Sequence, residues 1–289
     1  MEGELKTMSQ IINGKEIGQK IREEVQTRVA TLKTQGVTPG LAVILVGENP
    51  ASKTYVANKQ KSCEAIGMHS ALIKLAEDVS QEALLAEIAK LNQDDAIHGI
   101  LVQLPLPNHI DEDAVIGAIT PAKDVDGFSP VSVGKMMLGQ DTFLPCTPYG
   151  IMKLLAYSGI EVAGKHAVIV GRSHIVGKPM GQLLLNEDAT VTYTHSKTVN
   201  LPYYTKQADI IIAAVGRPNF ITAEHVKEGA VVIDVGINRN EQNKLCGDVD
   251  FKAVEGIASH ITPVPGGVGP MTITMLLDNT VKAAENTVK

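Results

Sequence analysis

Tyr55 and Lys59 are the residues whose chemical types and spacing first suggest a reactive site. They stand four positions apart in a segment with a helical pattern, so their side chains share one face of the predicted helix. The helix follows a buried strand that ends at Gly47, which puts its first turns at the carboxyl edge of a sheet, where open α/β sheets bind ligands. Gln103 ends a later apolar strand and is predicted at the same edge. A solvated helix face would have the same spacing, but three polar groups at one edge favour a binding crevice.

Two carboxylates lie close together in residues 123–128, whose sequence is KDVDGF. Asp and Gly are common turn residues, so Asp124 and Asp126 fit a purely structural turn. Their alternation also allows one of them, Asp126, to face the crevice and accept hydrogen bonds from N–H groups of a ligand. The sequence leaves open which carboxylate faces inward.

The segment 262–272, TPVPGGVGPMT, contains three prolines and three glycines. Proline makes such a loop rigid, whereas glycine lets the backbone approach a ligand closely. The loop can simply connect the last strand to the last helix. Its constrained composition favours a role in shaping a pocket.

Residues 166–179 combine a buried strand, a glycine turn and a helix start, the arrangement by which α/β proteins bind phosphate groups. Gly171 and Gly177 stand six positions apart, and Arg172 and Ser173 occupy positions where small residues are usual, so the spacing is not G-x-G-x-x-G. A plain strand-to-helix connection is the alternative.

The end of the next predicted strand decides between the two nicotinamide cofactors. An NAD-specific unit carries an acidic residue there for the ribose 2′-hydroxyl. Here the strand runs into His195, Ser196, Lys197 and Thr198. Together with Arg172, these donors and positive charges suit a 2′-phosphate, so the sequence predicts NADP rather than NAD.

Strands and helices alternate twice along the chain, which predicts an α/β fold of two domains, each with a mainly parallel sheet flanked by helices and right-handed crossovers. The second domain is predicted to be Rossmann-like. Ser52, Ser80 and Thr147 are predicted helix caps, and Gly67 a helix stop. Strands are predicted at residues 41–47, 69–75, 97–103, 167–170, 190–194, 209–215, 230–235 and 258–261, and helices at 14–35, 52–66, 81–91, 148–157 and 271–288.

Size and composition limit the classes of protein to consider. The 289 residues suffice for two domains, and the net charge of −6 argues against a general nucleic-acid binder. No apolar run approaches the roughly 20 residues that span a bilayer, and no signal peptide is recognisable. The three cysteines are far apart and fit reduced thiols in a cytoplasmic protein, and no histidine spacing indicates a metal site. Residues 1–7 resemble a vector-derived leader, with the natural start at Met8.

Five short segments stand in order along the chain: YVANK at 55–59, VQLPLP at 102–107, KDVDG at 123–127, GRS-x-x-VG-x-P at 171–179 and PVPGGVGPMT at 263–272. Together they closely resemble the bifunctional methylenetetrahydrofolate dehydrogenase/methenyltetrahydrofolate cyclohydrolase family. The resemblance covers essentially the whole chain from about residue 11. Because no synthetase domain follows, it resembles the short form with two activities.

The resemblance implies oxidation of methylenetetrahydrofolate to methenyltetrahydrofolate with NADP+, followed by hydrolysis to 10-formyltetrahydrofolate. It implies a folate-binding catalytic domain at 8–147 completed by the C-terminal helix 271–289, and an NADP-binding Rossmann domain at 148–270. A cleft between the domains and a homodimer are also implied. Small-molecule folate is then the partner, with no nucleic acid and no membrane.

Individual roles follow from the matching positions. Lys59 would be the essential acid/base residue, Gln103 would bond to it and tune it, Tyr55 would stack on the folate ring, and Asp126 would bind the N–H edge of the pterin. The remaining residues are expected to hold ligands: Pro265 and Gly269 the folate, and Gly171, Arg172, Ser173, Ser196, Ile237 and Thr272 the cofactor.

Two other functions stay open at this point. One is a different NADP-dependent dehydrogenase of two α/β domains, in which a Lys–Asp pair would manage the proton of an alcohol. The other is a non-catalytic module that senses NADP. The presence of Lys59, Gln103 and Asp126 argues against the second.

Overall fold

The computed structural model describes residues 8–288, and within them the chain divides into two compact units. Unit A consists of Gln19–Cys146 and 273–288, and unit B of 8–18 and Thr147–Thr272. The leader assigned to residues 1–7 lies outside the described residues. Residues 8–18 belong to unit B because their strand pairs with that unit's sheet.

Strands and helices alternate along most of the chain. The strands are β1 (Gln10–Ile11), β2 (Gly40–Val46), β3 (His69–Leu75), β4 (Gly99–Val102), β5 (His166–Val170), β6 (Thr190–Thr194), β7 (Ile210–Ala213), β8 (Val231–Asp234), β9 (Asn238–Arg239), β10 (Leu245–Cys246) and β11 (His260–Ile261). The helices are α1 (Gly14–Thr34), α2 (Pro50–Ala65), α3 (Gln81–Gln93), α4 (Glu112–Ala118), α5 (Pro130–Met137), α6 (Cys146–Tyr157), α7 (Gly177–Asn186), α8 (Leu201–Thr205), α9 (Phe251–Val254) and α10 (Val268–Glu285).

Unit A is built on a parallel sheet of three strands in the order β3-β2-β4. The central strand β2 is buried along its whole length, as its unbroken apolar sequence GLAVILV predicts for a strand covered on both faces. Helix α1 buries an apolar stripe, in which Ile21, Val25 and Val29 are at most 3% exposed. The C-terminal end of α10 is tied to α1 by Arg28, which contacts Asp278 and Glu285.

Unit B contains a parallel sheet of six strands in the order β1-β11-β8-β7-β5-β6, and a small antiparallel pair, β9 and β10. The chain passes from β5 to β6 on one side and then returns to β7 on the other side of β5. Such a reversal creates a crevice at the carboxyl ends of the two strands that flank it. The ends of β5 and β7 are therefore where a ligand of this sheet is expected, which agrees with the predicted Rossmann-like domain.

Two predicted helix starts are wrong. Helix α2 begins at Pro50, and its cap is Asn49, whose Oδ1 accepts from the N–H of Ser52 at 3.2 Å. Helix α6 begins at Cys146, so Thr147 is not its cap. By contrast, the Ser80 cap of α3 is confirmed by its bond to the N–H of Ala83.

Within residues 8–288, no helix is both long and apolar enough to cross a membrane.

Candidate active site

Lys59 and Gln103 are in direct contact in unit A. Lys59 Nζ donates to Gln103 Oε1 at 3.0 Å. The amide Nε2 of Gln103 donates to the carbonyl of Leu104 at 2.7 Å, and this bond turns the amide oxygen towards the lysine. Gln103 itself continues the ladder of β4, because its N–H bonds to the carbonyl of Ile44 at 2.9 Å.

Helix α2 gives the site one reactive face. Tyr55, Lys59 and Cys63 follow one another at intervals of four residues, so they lie on the same side of the helix. Tyr55 is 42% exposed, Lys59 is half-buried and Cys63 is completely buried. An exposed aromatic ring next to a partly buried amine can contact a flat ligand while the amine stays shielded from water.

Burial lowers the pKa of Lys59, while the negative charge of Asp126 acts in the opposite direction. Burial also raises the pKa of Asp126, although the Lys59 charge opposes this shift. Both groups are therefore displaced towards their neutral forms. A lowered pKa increases the fraction of neutral amine at a given pH, and the neutral amine is the form that accepts a proton.

Two thiols near Lys59 were not predicted as part of the site. Cys63 and Cys146 are buried, and both influence Lys59 electrostatically. Burial raises the pKa of Cys63 to about 12 and that of Cys146 well above its usual range, so both remain neutral thiols. The spacing of Cys63 from Lys59 on the helix could have indicated it, whereas Cys146 is brought in by the fold alone.

The two carboxylates of the KDVDG segment have different surroundings. The sequence left open which of them faces the candidate site. Asp124 is buried and accepts from Phe128 N at 3.2 Å, Ser129 N at 2.9 Å and Ser132 Oγ at 2.6 Å. These bonds occupy Asp124 within the turn that begins α5. Asp126, which interacts electrostatically with Lys59, is the carboxylate available to a ligand.

The backbone on both sides of Asp126 is held in place. Gly127 has φ +72°, and a Cβ on it would lie 2.7 Å from the carbonyl carbon of Leu144, so no other residue fits there. Asn279 of α10 donates to the carbonyls of Val125 at 2.8 Å and Leu144 at 3.0 Å. Nothing in the local sequence indicated this role of Asn279.

A cavity of about 1120 Å³ also lies in unit A, at the amino ends of β2 and β4. His98 and Lys123 are among its lining residues, and Tyr55, Lys59 and Gln103 are not. The reactive side chains belong to the carboxyl ends of the strands, so this cavity is separate from the candidate site.

In unit B, the turn after β5 is packed closely against neighbouring backbone atoms. Gly171 has φ +137°, and a Cβ on it would lie 2.2 Å from the carbonyl oxygen of Ala214. A Cβ on Gly177, the first residue of α7, would lie 2.6 Å from the carbonyl oxygen of Gly171. Ser173 Oγ accepts from the N–H groups of Val176 and Gly177, both at 3.2 Å. Its own O–H remains to donate, so this cradle fits a phosphate group.

The ends of β5 and β6 lie side by side, because Val170 pairs with Thr194 and the N–H of Gly171 bonds to the carbonyl of Thr194 at 3.0 Å. Arg172 and Ser196 follow these two ends, and both are exposed. The turn holding Ser196 is closed by Thr198, whose Oγ1 accepts from the N–H of His195 at 2.9 Å. Arg172 and Ser196 thus place a guanidinium and a hydroxyl after neighbouring strand ends, and their contact with a 2′-phosphate stays a prediction.

The other residues expected to bind ligands also lie in unit B. Ile237 follows β8 and is 53% exposed, and a Cβ on Gly269 would lie 3.9 Å from Ile237 Cδ1. Thr272 Oγ1 shares a hydrogen bond of 2.9 Å with Thr147 Oγ1. Pro265 is exposed in the loop before α10. Their contacts with folate or cofactor remain predictions.

Comparison with known proteins gives matches over almost the whole chain. Residues 12–126 match the model of the tetrahydrofolate dehydrogenase/cyclohydrolase catalytic domain, and residues 145–288 match the model of the corresponding NAD(P)-binding domain. The bifunctional protein FolD of Lysinibacillus sphaericus is 79% identical over 278 residues, which cover 96% of this chain and 98% of that protein.

Two solved structures have the same fold. The bifunctional FolD methylenetetrahydrofolate dehydrogenase/cyclohydrolase of Campylobacter jejuni has a TM-score of 0.96 and 54% identity, covering 96% of this chain and 99% of that chain. The methylenetetrahydrofolate dehydrogenase-cyclohydrolase of Trypanosoma brucei, solved with NADP cofactor and inhibitor, has a TM-score of 0.93 and 40% identity, covering 98% and 99%. These likenesses confirm the predicted two-domain α/β fold.

Proposed function

Because the chain belongs to the tetrahydrofolate dehydrogenase/cyclohydrolase family, we propose that Lys59 manages the proton of the hydrolytic reaction and that unit B binds the cofactor. The chain is an NADP-dependent methylenetetrahydrofolate dehydrogenase and methenyltetrahydrofolate cyclohydrolase, as predicted from the sequence. The contact of 3.0 Å between Lys59 Nζ and Gln103 Oε1, made by an amine whose pKa is lowered by burial, carries the proposal.

The two reactions make different demands on the protein. The oxidation removes a hydride from the one-carbon bridge of methylenetetrahydrofolate and leaves a cationic methenyl bridge. Bound NADP+ supplies the hydride acceptor, and the protein contributes alignment. This step releases no proton, so unit A has to orient the folate and exclude water.

The hydrolysis requires a base. Water adds to the methenyl carbon and the carbon–N5 bond breaks; of the two protons of the water, N5 takes up one and the other is released. The neutral amine of Lys59 accepts this second proton from the attacking water. Gln103 Oε1 accepts a hydrogen bond from the Lys59 amine and keeps the amine in the same orientation during the hydrolysis. General-base assistance of this kind is worth roughly 10²–10⁴ in rate.

We infer that the folate is held mainly by side chains near Lys59. Tyr55 offers an exposed ring for stacking on the pterin, and Asp126 offers a carboxylate for its N–H edge. Pro265, before α10, and Gly269, in the first turn of α10, are proposed to contact the folate as well. The fixed backbone around Gly127 supports the role of Asp126, because the carboxylate is presented from a rigid turn.

For the cofactor, the Gly171 turn and Ser173 would hold the phosphates, with Arg172 and Ser196 on the 2′-phosphate. Ile237 would contact the dinucleotide through its backbone, and Thr272 the nicotinamide region. The geometry of Ser173 supports this assignment, because its Oγ accepts from the N–H groups of Val176 and Gly177 at the start of α7 and its own O–H remains to donate to a phosphate.

The folate-binding domain is proposed to be 8–147 with 271–289, and the NADP-binding domain 148–270. We also propose a homodimer, on the resemblance to the family, and a cytoplasmic enzyme. The three free cysteines among the described residues support a reducing compartment. The negative net charge supports a small-molecule rather than a nucleic-acid partner.

The test follows the two reactions separately in one mixture. Purified protein is combined with methylenetetrahydrofolate and NADP+, and NADPH and methenyltetrahydrofolate are measured independently. NADPH formation with little accumulation of the methenyl compound is expected. Accumulation of the methenyl compound in step with NADPH would remove the hydrolytic role of Lys59. Absence of NADPH would contradict the cofactor assignment.

A further inference from the structure

Asp248 is a completely buried carboxylate in unit B that no motif in the sequence indicated. Its Oδ2 accepts from the N–H groups of Val215 at 2.6 Å and Gly216 at 3.0 Å. Its Oδ1 accepts from Arg217 N at 2.8 Å and from Asn238 Nδ2 at 2.8 Å. All four partners are N–H donors, so the side chain is satisfied as a carboxylate.

The segment bound by Asp248 Oδ2 borders the phosphate turn. Val215 and Gly216 follow β7, the strand next to β5, and directly continue from Ala214. The carbonyl oxygen of Ala214 is the atom that a Cβ on Gly171 would meet at 2.2 Å. The position of this segment therefore fixes the wall against which the Gly171 turn is packed.

The second segment bound by Asp248 contains another predicted cofactor contact. Asn238 follows Ile237, whose backbone is proposed to contact the dinucleotide. A Cβ on the preceding Gly236 would lie 2.4 Å from Asp248 Oδ1, so the carboxylate also limits which residue fits there. One side chain thus holds the segments after β7 and after β8 in a single arrangement.

Asp248 is in turn held by a second buried carboxylate. Asp234 Oδ1 accepts from the N–H groups of Asp248 and Gly236, both at 2.9 Å, and Asp234 Oδ2 accepts from Val249 N at 2.9 Å. A Cβ on Gly247 would lie 1.8 Å from Asp234 Oδ2. The backbone that carries Asp248 therefore has little freedom, as a positioning device requires.

We propose that Asp248 is a positioning residue for NADP binding: it fixes the segments 215–217 and 236–238 at the carboxyl edge of the unit B sheet, so that the cofactor meets a preformed surface. The inference rests on the assignment of NADP to unit B. Asp248 acts through these backbone segments and is not itself assigned a contact with the cofactor. Its removal should weaken cofactor binding and leave NADP-independent hydrolysis in place.

The test is Asp248→Asn, which keeps the shape of the side chain. Whichever oxygen becomes NH2, that group faces two N–H donors and accepts from neither. Asp250→Asn is the matched control. Asp250 lies two residues further on and caps α9 through Ala253 N, a task that Asn performs equally well.

We measure the Kd for NADP by calorimetry, the KM for NADP and the kcat of the dehydrogenase, and hydrolysis of methenyltetrahydrofolate without NADP. Asp248→Asn is expected to raise the Kd and the KM for NADP at least about tenfold, with hydrolysis within about twofold of wild type. Asp250→Asn is expected to stay within about twofold in all assays. A Kd for NADP that stays at the wild-type value in Asp248→Asn would overturn the inference, as would an equal loss of hydrolysis.

If Asp248→Asn does not fold, a second variant tests the positioning role of Asp248. Asn238→Ala removes one of the four donors to Asp248 and is expected to raise the Kd for NADP about threefold, again with hydrolysis unchanged. An unchanged Kd in this variant contradicts the inference. Failure of the wild-type protein to bind NADP would instead contradict the proposed cofactor site, and the inference with it.

Discussion

Replacing Lys59 is the perturbation that bears most directly on the proposed chemistry. Lys59→Arg keeps a positive charge near Asp126, but a guanidinium stays protonated and cannot accept a proton from water. Lys59→Met removes both the charge and the base. Comparison of the two variants therefore separates electrostatic support of Asp126 from proton transfer.

The expected magnitude follows from the position of the amine. Lys59 Nζ is fixed by Gln103 Oε1 at 3.0 Å, and burial lowers its pKa from the usual value of 10.5. A base held in this way contributes about 10²–10⁴ in rate, or roughly 3–5 kcal/mol of activation free energy. Both variants should lose that factor in the hydrolysis of methenyltetrahydrofolate. The kcat of the oxidation should fall less, because that step releases no proton.

The assay is the pH dependence of hydrolysis, measured without NADP. The neutral amine is the active form, so the wild-type rate should rise with pH along a limb whose apparent pKa lies below 10.5, and both variants should lose this limb. Lys61→Met is the control, because Lys61 is exposed on the same helix two residues further on. Near-normal hydrolysis by Lys59→Met, or an unchanged limb in Lys59→Arg, would refute the assignment.

Three further substitutions test the ligand sites. Asp126→Ala should raise the KM for folate about 10–100-fold, because charge-assisted hydrogen bonds are lost, and leave the Kd for NADP unchanged. If titrations show folate and NADP binding weakened equally, the role of Asp126 is structural. Arg172→Ala should raise the KM for NADP at least about tenfold and leave any turnover with NAD unchanged. A parallel loss with both cofactors would argue against a 2′-phosphate contact. Gly171→Ala puts a Cβ 2.2 Å from the carbonyl oxygen of Ala214. NADP binding should therefore be lost and thermal stability lowered, while hydrolysis persists. Normal NADP binding in calorimetry would contradict this prediction.

Several features were determined by the sequence alone because they depend on neighbouring residues. The unbroken apolar run of β2 indicated a strand buried on both faces, and the interval of four residues put Tyr55 and Lys59 on one side of α2. The strand–glycine–helix order marked the turn at Gly171, where side chains do not fit. The five ordered motifs identified the family. Backbone conformation and side-chain periodicity are local properties, so a single sequence contains them.

The tertiary structure decided which polar groups meet. Asp124 and Asp126 are equivalent in the sequence, and only the bonds of Asp124 to the start of α5 leave Asp126 as the carboxylate near Lys59. Asn279 supports that turn from 154 residues away, and β1 joins unit B through β11 at the far end of the chain. Asp248 likewise accepts hydrogen bonds from the backbone of residues that stand 31 to 33 positions before it. Such contacts depend on how distant segments pack, and burial then sets the charge of the groups they enclose, so no local pattern predicts them.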